Sequence, residues 1–69
     1  MSKNRKKWFI GDRVSGKYLG RPFIGSVELC HNDDAHIAHV YIDLPLIIND
    51  AIIRHIKIDS RKLKALVQY

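Results

Sequence analysis

Arg13-Val14-Ser15-Gly16-Lys17-Tyr18-Leu19-Gly20-Arg21-Pro22-Phe23-Ile24-Gly25 carries a glycine every four or five residues, and Gly11 extends the spacing toward the amino terminus. Each glycine costs a helix interior about 1 kcal/mol relative to alanine and a proline about 3 kcal/mol, so no stable helix crosses this quarter of the chain. Between the glycines stand Val14, Tyr18, Phe23, Val27 and Leu29, residues that favour extended backbone. The spacing predicts a strand near 13–18, a turn at 19–22 and a second strand near 23–30.

The same alternation continues downstream. Asn32-Asp33-Asp34 is a turn by composition, because short polar side chains bond back to their own backbone. From His36 to Leu44, Ala38, Val40, Ile42 and Leu44 fall on one face, with Ile37, His39, Tyr41 and Asp43 on the other. Pro45 is expected to close that strand, with 46–50 a connection ending in an Asn49-Asp50 turn. Residues 52–58 are β-branched enough for a fourth strand, although Ile48, Ile52 and His55 also share a helical face. Ser60 is a candidate cap for one helical turn over 61–64, followed by a short last strand at 65–69. Trp8 and Phe23 are the natural aromatic contributions to the core.

Sixty-nine residues make one domain near the lower limit for a single core. Residues 1–7 are polar and basic and read as a flexible arm, leaving 8–69 as the folded domain. Cys30 is the single cysteine and forms no internal disulfide. The apolar run Trp8-Phe9-Ile10 is too short for the core of a secretory signal, and no apolar stretch is long enough to span a bilayer. A cytoplasmic location without membrane attachment is the expectation.

Five short strands, a long glycine-rich first connection and a one-turn helix before the last strand describe a small SH3-like barrel, an all-β fold. Phe9-Ile10-Gly11-Asp12-Arg13-Val14, followed by Tyr18-Leu19-Gly20 and Phe23-Ile24-Gly25-Ser26-Val27, resembles the opening of KOW-type and related SH3-like domains. In those families a G-D-x-V strand precedes a G-x-V strand by a dozen or so residues. The resemblance covers about a third of the chain and implies contact with RNA or with ribosomal and transcription components, while other SH3-like barrels bind peptides or proteins. Type II dihydrofolate reductases open with a similar strand, but their late Val-Gln-Ile-Tyr segment is replaced here by His55-Ile56-Lys57-Ile58, so that activity is not carried over.

Charge is sorted along the chain. Residues 1–25 hold seven cations against Asp12, residues 26–53 hold five carboxylates and no Lys or Arg, and residues 54–69 hold five cations against Asp59. A fold that joins the two ends would present one basic surface, and such a surface attracts polyanions. The expected nucleic-acid contacts are Lys3, Arg5, Lys6 and Lys7 on the arm, Arg13, Lys17 and Arg21 around the first connection, and Arg54, Lys57, Arg61, Lys62 and Lys64 near the end. Tyr41 is the exposed candidate for stacking on a base. DNA and RNA are not separated by these features.

Other chemistries are poorly served. Cys30, His31, His36, His39, Asp33 and Asp34 are metal-ligand types, yet His36 and His39 point to opposite faces of the expected strand, so no metal site is expected. Cys30 and His31 are adjacent, which on a strand sends them to opposite sides. No nucleophile elbow, phosphate-loop lysine motif or paired-carboxylate spacing occurs, and neither an enzyme nor a cofactor is expected. The alternative to nucleic acid is a protein-interaction module: Ile47, Ile48, Ile52 and Ile53 exceed what a tiny barrel buries, which points to self-association or docking on a protein partner.

Overall fold

The computed structural model describes residues 7–31 and 35–66. They form β1 (Arg13–Tyr18), β2 (Arg21–His31), β3 (Ile37–Ile48), β4 (Ala51–Asp59), a 3-10 turn (Ser60–Lys62) and β5 (Lys64–Ala65). All five strands belong to one antiparallel sheet in the order β4-β3-β2-β1-β5. Among the described residues β4 and β5 do not pair, so hydrogen bonds leave the sheet open.

The first connection is shorter than the glycine spacing suggested. β1 and β2 pair through Tyr18↔Arg21, so only Leu19 and Gly20 turn the chain, with φ of 51° and 81°. Two successive positive φ angles define the hairpin turn whose twist matches that of the flanking strands. Asn49 and Asp50, with φ of 51° and 68°, make the equivalent turn between β3 and β4.

Pro45 does not end β3. The strand continues to Ile48, and the ladder with β4 skips from Tyr41↔His55 to Leu46↔Ile53. Across that interval Ile42 to Pro45 stand opposite Arg54 alone. A proline has no N–H to give a ladder, and a bulge is where a strand tolerates one. The bulge also breaks the expected alternation: Ala38, Val40 and Ile42 are fully buried, whereas Leu44 is 80% exposed.

The core lies on one face of the sheet, built from Val14, Phe23, Val27, Ala38, Val40, Ile42 and Ile56 and closed by Trp8 and Leu63. Ser60 ties Trp8 and His36 to it. Its carbonyl accepts a 3.1 Å bond from the Trp8 indole N–H, and its N–H donates to the His36 carbonyl at 2.9 Å. The residue capping the 3-10 turn is Asp59, whose carboxylate accepts from the Arg61 N–H at 2.9 Å; Ser60 is its first residue. β5 is two residues long and pairs with β1, which brings members of the two basic blocks, around residues 13–17 and Lys64, side by side.

Gly25 sets where β2 and β3 part. A side chain there would overlap the Tyr41 carbonyl oxygen and stand 2.8 Å from Val40 Cγ1, so only glycine lets the two backbones approach this closely. Gly25↔Ile42 is the last β2–β3 pair; residues 21–24 stay with β1 while β3 leaves with β4.

Candidate nucleic-acid interface

The parting of β2 from β3 opens a groove of about 990 Å³. Pro22, Phe23 and Ile24 line one side and Leu44, Pro45 and Leu46 the other, while Lys17, Lys62 and Lys64 contribute its cations. Lys17 comes from β1, Lys62 from the 3-10 turn and Lys64 from β5. Members of the two terminal basic blocks therefore meet here, because β5 pairs with β1 through Ser15↔Lys64. Among the described residues no ion pair engages these three lysines. The one carboxylate in the lining, Asp43, is occupied by Arg13.

Arg13 holds Asp43 in a two-pronged contact. Its Nη1 donates to Asp43 Oδ1 at 2.9 Å and to Ser26 Oγ at 2.8 Å, and its Nη2 pairs with Asp43 Oδ2. Hydrogen bonding from the guanidinium holds the Asp43 carboxyl below its usual range and raises Arg13 in turn. Arg61 is similarly engaged, with Nη2 donating to Asp59 Oδ2 at 2.8 Å and Nε to Oδ1 at 3.0 Å. These bonds push Asp59 well below the carboxylate range. A phosphate approaching Arg13 or Arg61 meets a neutralised pair, which removes most of the attraction each cation would exert alone.

The remaining sequence-selected residues are distributed as follows. Arg21 is exposed at the start of β2, and Lys7 is exposed before Trp8. Arg54 lies in the β3–β4 bulge and Lys57 on β4, separated from β1 by two strands. Lys3, Arg5 and Lys6, with the rest of residues 1–6 of the expected arm, lie outside the described residues, as does the expected turn at Asn32, Asp33 and Asp34.

Tyr41 is on the face of the sheet turned away from the core, 38% exposed, and does not line the groove. Its ring meets the edge of His55 at 5.1 Å between centroids, and His55 Nδ1 lies 2.9 Å from Glu28 Oε1. The register continues this face through His39↔Lys57 and His31↔Ile37, with the His31 and His39 rings 5.8 Å apart. It is a surface of histidines, one tyrosine and Lys57 that the charge count alone did not single out. Period-two reading of β3 already places His39 and Tyr41 on one face, and the register with β4 adds His55 and Lys57 to it.

Cys30 and His31 do point to opposite sides of β2, and burial pushes the Cys30 thiol up, away from the nucleophilic thiolate. Among the described residues no three metal-ligating side chains converge, and no helix is long and apolar enough to cross a membrane. No protein-family model matches the chain, and neither a curated protein nor a solved structure matches it.

Proposed function

We propose that this chain is a small, non-enzymatic nucleic-acid-binding protein that uses the cationic side of an SH3-like barrel. Support for the barrel comes from the β5–β1 pairing, the one-turn helix before the last strand and the parting of β2 from β3 at Gly25. Support for the partner comes chiefly from one observation: Lys17, Lys62 and Lys64, drawn from opposite ends of the sequence, line a single groove without carboxylate partners among the described residues. Phosphates are bound at such a surface by Coulomb attraction and release of condensed counterions, with little discrimination of sequence.

The test is the salt dependence of binding. Replacing Lys17, Lys62 and Lys64 together by Gln removes three contacts, so the slope of log K against log salt becomes shallower by about 2 on single strands or about 3 on duplex DNA. Fluorescence anisotropy over a range of salt measures it. Binding that ignores salt, or a slope unchanged in the triple variant, refutes the assignment.

A second reading, a protein-interaction module, is favoured by the β3–β4 hairpin. Ile47 and Ile52 are directly cross-strand and 62% and 69% exposed. Such a pair is costly to leave in water and is suited to a partner or a second copy. Sedimentation of a strict monomer at high concentration would argue against self-association.

A further inference from the structure

We infer that the groove between β2 and β3 takes single-stranded nucleic acid in preference to duplex. The inference rests on the nucleic-acid reading above and names the form of polymer that this site selects.

Two properties of the groove have to be met by one ligand. Its cations, Lys17, Lys62 and Lys64, are supplied from the β1–β5 side, and the opposite wall, formed by Leu44, Pro45 and Leu46, is apolar. Asp43 adds no free negative charge there, because Arg13 occupies both its oxygens. Leu44 is the telling residue: at 80% exposure in an irregular bulge it supports no core, and it forms part of the groove wall. A ligand that uses the whole site carries anionic groups along one side and apolar groups along the other.

A single strand has that construction, with phosphates along its backbone and base faces free to lie against apolar side chains. A duplex turns its phosphates outward and keeps its base faces stacked, so it reaches the lysines and leaves the apolar wall in water. The size agrees. A volume of about 990 Å³ is that of a cleft for a small organic molecule, enough for a few nucleotides and too small to admit a helix of two strands. Strand separation adds a further element, since β2 residues 21–24 and β3 residues 43–45 have no ladder partner across the groove. Main-chain groups on both walls are therefore available to base edges.

Polyglutamate satisfies the lysines but offers the wall no base faces, so it serves as the control. The experiment titrates the full chain with labelled oligothymidylate, with the same strand annealed to oligoadenylate, and with polyglutamate, at low and moderate salt. The expected result is single-strand affinity about tenfold or more above duplex at equal salt, the gain expected from covering Leu44 and its apolar neighbours with base faces. Leu44→Ser, which changes no charge and removes no buried side chain, is expected to lower single-strand affinity about five- to tenfold with the salt slope unaltered. Its thermal midpoint serves as the check on folding.

Equal affinity for strand and duplex, polyglutamate matching the oligonucleotide, or a folded Leu44→Ser protein with undiminished single-strand binding would each overturn the inference. Steep salt-dependent binding of equal affinity to strand and duplex would leave the broader nucleic-acid function standing while removing this one. No binding to either at low salt would remove both.

Discussion

Gly25→Ala tests how the fold creates the groove. An alanine Cβ at this position overlaps the Tyr41 carbonyl oxygen and comes within 2.8 Å of Val40 Cγ1 and 3.1 Å of the Tyr41 carbonyl carbon. The Val40 methyl can yield by a rotamer change, but the main chain of Tyr41 cannot, because it is held between the ladders to Ser26 and His55. Relief requires β2 to move away from β3, weakening the pairs at Gly25↔Ile42, Ser26↔Tyr41 and Val27↔Val40. Overpacking of this kind costs about 1 to 3 kcal/mol, and each weakened ladder bond adds up to about 1 kcal/mol. Against this, alanine restricts the unfolded chain and returns about 0.4 to 1 kcal/mol. The net expectation is a loss of about 3 kcal/mol. At about 0.05 to 0.15 kcal/mol per residue, a domain of 69 residues has about 3 to 10 kcal/mol in total. Urea unfolding followed by circular dichroism, with a slope of about 1 kcal/mol per molar, should show the midpoint falling by about 3 M or the protein already unfolded in buffer. A midpoint within about 0.5 M of the parent at unchanged slope would refute the close approach at Gly25, and with it the account of why β2 and β3 part there.

Two further outcomes follow from the geometry. Leu19 holds φ at 51° with 71% of its surface exposed, a left-handed conformation that costs a branched side chain about 1 kcal/mol, so Leu19→Asn should stabilise the protein by about that amount in the same urea assay. Asp43 and Asp59 have folded pKa values depressed by hydrogen bonds from Arg13 and Arg61, so the stability they contribute is complete above the ordinary carboxylate range, about 4, and is lost as pH falls through it toward their lower folded values. Thermal midpoints measured from about pH 6 to pH 2 should fall less steeply in the Asp43→Asn/Asp59→Asn double variant than in the parent; equal steepness would mean that these pairs make no contribution.

Much of the chain was legible as local pattern. Glycine spacing from Gly11 to Gly25 excluded a helix, and β1 lies at 13–18 where the alternation put it. Trp8 and Phe23 are buried, and Asn49-Asp50 turns the chain. The cap of the 3-10 turn was displaced by one residue, to Asp59, while the misreadings at Leu44 and Pro45 concern distant partners. Pro45 suggested a strand end because a proline has no N–H, but β3 passes it through a bulge whose length depends on the register with β4. Leu44 matched the core period and is exposed for the same reason.

By itself, then, the sequence determined an all-β chain with basic ends and an acidic middle, because side-chain period, turn chemistry and charge order are properties of near neighbours; that β2 and β3 run to 11 and 12 residues it did not show. Arg61 is neutralised by its near neighbour Asp59, but tertiary structure decided the fate of Arg13 and Lys17. Arg13 meets Asp43 across thirty positions of sequence and is neutralised, whereas Lys17 meets Lys62 and Lys64 and is not. That outcome depends on strand register and on the parting of β2 from β3 at Gly25. Register is a property of paired strands, and a single strand read alone does not contain it.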